Sequence, residues 1–389
     1  MYLAALSGVA AWLPWVRASG LGAPAWAEAI GLDHPFSSLA FLAGVGALFA
    51  STLACTWGRR SRIAARARGA LPVGSIELEG APAEQLRAFL RARGFRGEGP
   101  VLRRHAAALW AGWVLHVGLL VLVAGVGVQQ AFHDGANFEL AEGETARLDG
   151  PGAVFQRERG PLAPRDAPAL EATLLAFDPY LRQEGYAPDR RSRVLLRAGA
   201  GPGRVLDLDR AEGTRIEGVD VYQAIPTGYA LLLDVAGQGI RSVHLHADGP
   251  RRATAEVAAP GGAPMRFVLE AERGLDDRSG AGAISVRMGS AAGEAALGIG
   301  APFAFGLAPA RLVAVDRWAG FTYERSPGMP AVLAGFAVVL AGCVLLVFPA
   351  GVARIEHEGG RDVARVWVSR GGDVLADEWR SERDGGGGA

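Results

Sequence analysis

The sequence predicts an α-helical membrane protein of three to four transmembrane helices carrying one large extracytoplasmic all-β domain. Three observations lead there. Pro35–Trp57, Ala106–Val128 and Met329–Ala350 each run 22 or 23 residues without a formal charge, long enough to cross a hydrocarbon core of about 30 Å as helices. The segments linking them differ in the sign of their charge. The longest link, residues 133–328, breaks into short alternating or β-rich runs between Gly and Pro turn signals, the pattern of a sandwich or barrel.

Composition narrows the chemistry. The 389 residues carry no formal net charge, and all 40 Lys/Arg positions are Arg. A chain without lysine has no Schiff-base amine and no P-loop lysine. The two cysteines, Cys55 and Cys343, fall inside apolar spans, where they read as inert packing, and the β-rich region has no disulfide framework. There is no C-x-x-C-H, so the chain is not itself a c-type cytochrome. No hydrolase, zincin or dinucleotide pattern occurs, which weighs against a self-contained enzyme.

Residues 1–34 read as a short or truncated first transmembrane helix and an outer loop. The apolar run at 2–16 is shorter than the roughly 20 residues a span needs, and it contains Pro14. Residues 35–57 form a full span. Its Gly46, Ala50 and Ala54 recur every four residues, either a close-approach stripe for another helix or a consequence of abundant small residues. Residues 58–104 hold eleven Arg against four Glu and read as a basic cytoplasmic loop by the positive-inside rule. Within it, Ala83–Arg93 has helical apolar spacing suited to lying on the inner leaflet. Residues 105–132 are the next transmembrane helix. Residues 133–328, with 22 Arg against 26 acids, then lie outside the cytoplasm. Nine runs there read as strands, among them Gly218–Ala224, Tyr229–Ala236, Gly239–His246, Ala310–Val315 and Phe321–Tyr323. Residues 329–350 return the chain inside, and 351–389 form a charged cytoplasmic tail, with a strand at Arg361–Ser369 and a disordered final dozen residues.

One residue stands out. His116 sits in the middle of an uncharged span, where an ionisable side chain is costly and is by default a functional hypothesis. Its neutral imidazole is a good ligand for metals, haem iron included. The plainer alternative is a histidine bonding a hydroxyl or carbonyl between helices. His105 lies eleven residues earlier on nearly the same helical face, as an interfacial residue or a waypoint for an anionic ligand. Trp110 and Trp113 flank His116 as headgroup anchors or as walls for a porphyrin. His244 and His246 alternate on a strand and read as a solvated face, with metal binding the sharper alternative. His34 and His133 lie at or beyond the outer ends of spans and carry little information.

Several short motifs, in this order, resemble the ResB family of cytochrome c biogenesis proteins (System II). Gly31–Phe41 with Cys55-Thr56 and Arg59 resembles that family's second-span entry and exit. Trp113-x-x-His116-x-Gly118-Leu119-Leu120 resembles its third span. Phe177-x-x-Tyr180, Pro188-Asp189-x-x-Ser192 and Val221-Tyr222-Gln223 resemble signatures of its outer domain, and Gly320-Phe321 followed by Ser326-Pro327-Gly328 resembles its approach to the last span. Ser326-Pro327-Gly328 stands where members usually have Asp-Pro-Gly. The resemblance implies a multi-pass protein of the inner (plasma) membrane that pairs with a ResC/CcsA-type WWD-domain protein. Together such proteins move haem b across the membrane and attach it to apocytochrome c. His116 matches the family's axial haem-iron ligand; no catalytic residue, only an accessory role, is implied for this subunit. No nucleic acid partner is expected. The residues alone leave two other readings open: a membrane-anchored scaffold without haem ligation, and a sensor or transporter subunit using the histidine as a proton relay.

Overall fold

A computed structural model describes residues 36, 38–181, 189–209, 213–261, 264–275, 281–290 and 293–385. The short first helix at 2–16, the loop after it, His34, Pro188 and the last four residues lie outside the described residues. Helix α1 (Leu39–Ala67) begins where the Ser38 hydroxyl accepts a hydrogen bond from the Phe41 N–H at 3.1 Å. It runs on past the apolar stretch through Arg59, Arg62 and Arg66. Strand β1 (Ile76–Glu79), helix α2 (Ala83–Ala92) and strand β2 (Val101–Arg104) follow. A 3₁₀ turn, Ala106–Trp110, leads into α3 (Ala111–Phe132).

Fifteen strands come next. They are β3 (Asp134–Ala141), β4 (Thr145–Arg147), β5 (Phe155–Arg159), β6 (Leu170–Leu181) and β7 (Asp189–Ala198); then β8 (Arg204–Leu208), β9 (Thr214–Ile216), β10 (Val219–Val235), β11 (Gly239–Ala247) and β12 (Arg252–Ala258); then β13 (Pro264–Ala271), β14 (Ile284–Ser290), β15 (Gly293–Ala296), β16 (Pro302–Phe305) and β17 (Ala308–Arg325). The chain ends with α4 (Met329–Val347), β18 (Gly351–Glu358), β19 (Arg361–Val368) and α5 (Gly372–Gly385). It divides into two units: Met1–Ala131 with Pro327–Ala389, and Phe132–Ser326.

In the first unit, α1, the Ala106–Phe132 segment and α4 are long and apolar enough to cross a membrane. Helices α3 and α4 meet along a glycine seam. Gly118 and Gly125 on α3, Gly328 capping α4, and Gly335 and Gly342 on α4 recur every seven residues, the period that keeps one face toward a partner. A Cβ at Gly335 would run into the Leu122 nitrogen, and one at Gly342 would stand 2.7 Å from the Leu115 nitrogen. Hydrogen rather than a methyl group is therefore what lets these backbones touch. The four-residue stripe of α1 does no such work: Gly46, Ala50 and Ala54 are exposed, and a Cβ at Gly46 would meet nothing within 4 Å. Instead α1 buries Val45 and Thr56.

The basic loop and the tail fold together. Strands from both make one antiparallel sheet in the order β1-β19-β18-β2. Leu86, Phe89 and Leu90 of α2 pack into its core with Leu78, Leu102 and Val366. The helix expected to lie on a leaflet thus spends its apolar face on this core. The tail is not disordered through its final dozen residues either: α5 continues to Gly385, with Trp379 stacked edge-on against Phe89 and donating to the Glu79 carbonyl at 3.1 Å.

The second unit is all β. An eleven-stranded antiparallel sheet runs β15-β14-β13-β12-β11-β10-β17-β3-β5, with β16 on β17 and β9 on β10, and a four-stranded sheet runs β4-β6-β7-β8. Phe138, Leu174, Leu196 and Phe321 share a core between one end of the long sheet and the short sheet. Leu231, Leu245, Phe267 and Leu312 form a second core along the rest of the long sheet. The runs Gly218–Ala224 and Tyr229–Ala236 belong to the single strand β10, its register interrupted between Gln223 and Thr227 around Pro226. Proline has no N–H to give a ladder, so the interruption falls where the sequence puts it. Strand β17 likewise unites Ala310–Val315 with Phe321–Tyr323.

Candidate functional site

His116 is the sixth residue of α3 and is half-buried. Its Nδ1 lies 2.6 Å from the Gly112 carbonyl oxygen, one turn back. That oxygen can only accept, so Nδ1 carries the proton, and in the neutral ring Nε2 keeps its lone pair. This is the state a metal-ligating imidazole adopts when a backbone carbonyl holds its other nitrogen. At 100° per residue His116 is turned about 200° from Gly118, away from the α4 seam. It is eleven residues from Gly127 and so on the same face. A Cβ at Gly127 would lie 3.5 Å from Val45 of α1, so that face is turned toward α1. In the antiparallel α1, Thr56 lies eleven residues from Val45, at the level of His116. Thr56 is buried, and its hydroxyl already donates to the Thr52 carbonyl at 2.7 Å.

Gly112 also lines a cavity of about 510 Å³ at one end of the three helices, bounded by Arg59, Arg62, Arg66, Arg370 and Phe348. The His105 ring lies 5.5 Å from the Phe348 ring, at the mouth of the 3₁₀ turn, where His105 itself takes a left-handed φ of 47°. Trp110 and Trp113 stack edge-on at 6.0 Å. Cys55 and Cys343 are free and exposed on their helices, not packed as expected.

In the second unit His244 and His246 belong to a polar cluster with Glu139 and Glu144. His244 is no solvated residue: its side chain is 18% exposed and lies between two carboxylates, with Nε2 2.8 Å from Glu144 and Nδ1 3.3 Å from Glu139. His246, more exposed, sits 3.6 Å from the same Glu139 oxygen. Trp318 roofs both rings at 5.8 and 5.2 Å and donates its indole N–H to the Leu245 carbonyl at 3.0 Å. It reaches across β10 because residue 228 is glycine; a Cβ there would be 2.6 Å from the indole nitrogen. Burial alone would lower the His244 pKa, but the two hydrogen-bonded carboxylates push it up to about 9. Among the described residues no group of three His, Cys, Asp or Glu is placed to hold a metal ion. Glu139 and Glu144 come from β3 and the turn after it, roughly a hundred residues before His244, so no local pattern announces them.

Among the described residues, several motif positions of the β-rich unit make contacts within it. Ser192 donates to the Gln223 side-chain oxygen at 3.1 Å, both buried. Phe321 stacks on Phe138 at 5.3 Å, and a Cβ at Gly320 would press 2.8 Å from the Pro226 carbonyl beside the β10 irregularity. Ser326, where the resembling family has Asp, donates to Glu324 at 2.6 Å. His133 lies 3.7 Å from that same Glu324. A scan against protein-family models finds no match to the chain, and a search of curated proteins finds none.

Proposed function

We propose that the chain is a ResB-like subunit of a cytochrome c synthase, assisting haem transport across the inner (plasma) membrane and haem attachment to apocytochrome c. One observation carries this: a half-buried histidine within an uncharged span whose Nδ1 is committed to a backbone carbonyl, leaving Nε2 free to bind iron. Haem is cargo here. The chain would supply Nε2 of His116 as one axial ligand, with the second on a ResC/CcsA-type partner. Attachment is thioether chemistry on the cysteines of the apocytochrome, so no nucleophile is required of this subunit. The basic module of residues 58–104 and 351–389 would face the cytoplasm and the β unit the opposite side, in keeping with eleven Arg against four Glu in the first of those segments.

The test is the visible spectrum of the chain purified with its partner. A Soret band should be present and should be lost in His116→Ala while the complex still assembles. An unchanged band in the variant would leave His116 as a packing residue and favour the scaffold reading.

A further inference from the structure

The cavity beside Gly112 has a composition that haem ligation by His116 does not require. Arg59, Arg62 and Arg66 recur at i, i+3 and i+7 along one side of α1, and Arg370 joins them from the segment after β19. No carboxylate lines the cavity, and among the described residues none pairs with these four guanidinium groups. Arg66 is held in place, its guanidinium carbon 4.7 Å from the centre of the Trp367 ring. Apart from Ser369, whose hydroxyl oxygen accepts from the Ala350 N–H at 3.0 Å, the remaining wall is apolar. Leu346 and Phe348, 43% and 46% exposed, stand at the end of α4 and give the cavity an exposed apolar edge. The site therefore offers several forked donors for an anion and an oily exit for whatever the anion is attached to. A soluble anion has no use for the exit.

We infer that this cavity binds the headgroup of an anionic phospholipid, its phosphate held by the arginines and its acyl chains leaving past Leu346 and Phe348. Guanidinium groups match phosphate oxygens bidentately, and basic pockets between transmembrane helices are suited to such headgroups. Each arginine near a charged lipid surface contributes about a fivefold gain in affinity, so removing two should cost roughly 25-fold and removing one about fivefold. The inference stands whether or not His116 binds haem.

The test uses the full chain in nanodiscs of phosphatidylcholine alone or mixed with phosphatidylglycerol. Native mass spectrometry and the midpoint of thermal unfolding are read for the wild type, for Arg59→Gln/Arg62→Gln and for Arg370→Gln. Retained phosphatidylglycerol and a higher midpoint in the wild type, both reduced in Arg370→Gln and reduced further in Arg59→Gln/Arg62→Gln, are expected. The variants lie on different elements and should match the wild type in phosphatidylcholine, which separates lost binding from lost folding. Equal retention of both lipids, or an unchanged preference in the variants, overturns the inference. So does an equal rise in midpoint with inorganic phosphate, which would make the site one for free anions. Displacement of phosphatidylglycerol by stoichiometric haemin overturns it as well, handing the arginines to porphyrin carboxylates.

Discussion

His244 turns a strand residue into a buried cation. Its pKa, raised from the usual 6.5 to about 9 by Glu139 and Glu144 against the pull of burial, means the cluster's stabilisation is complete below pH 6.5 and fades as pH rises through 9. Such a rise corresponds to roughly 3 kcal/mol at most. Glu144 limits the other side: burial opposes its ionisation, but the His244 bond and charge outweigh that and hold it below 4.5. Its contribution is present above pH 4.5 and lost as pH falls through the lowered value. The thermal stability of the full chain should therefore fall as pH rises from 6.5 to 9, and His244→Gln should flatten that slope; a slope unchanged in the variant would contradict the assignment. Gly228→Ala should also destabilise the unit, because its methyl group would displace the Trp318 indole from the Leu245 carbonyl. His116 was legible in the sequence because an ionisable residue in an apolar run has no local company. The partners of His244 were not, because pairing across the long sheet, and not spacing along β11, supplies them.

Among the elements, the α3–α4 contact makes the sharpest demand on sequence. Gly335→Val would push a side chain into the Leu122 backbone and should cost about 1–3 kcal/mol or part the helices, whereas Gly46→Val on the open face of α1 should be neutral. Unfolding midpoints in detergent read the difference; equal losses at both positions would show that the seam is not what joins the helices. The apolar lengths of the three spans were plain from the sequence. Which small residues pack was not: the four-residue stripe drew the eye, while the seven-residue seam is divided between two segments some two hundred residues apart. Strands β3 and β12 escaped notice for a related reason. Their runs DGANFELA and RATAEVA use alanine and glycine where strong strand formers are expected, and neighbouring strands decide their conformation.

At the scale of the whole chain, two segments that read as loop and tail make one folded module. Sheet order β1-β19-β18-β2 interleaves them, so neither can bury its apolar side chains alone. A chain ending at Phe348 should expose Leu86, Phe95 and Leu102, and trypsin, which finds only arginine here, should then cut within residues 87–104 far faster than in the full chain. Equal cutting rates would mean that the loop folds unaided. Sequence reading missed this module because each piece is short and charged, and its hydrophobic partners lie beyond the β unit. The central claim, that His116 gives Nε2 to haem iron, is tested most directly by chemical rescue. The complex with its partner is purified as His116→Gly, and its Soret band is followed as imidazole is added. The account predicts a lost band that imidazole restores. A band that persists in His116→Gly without imidazole would contradict it.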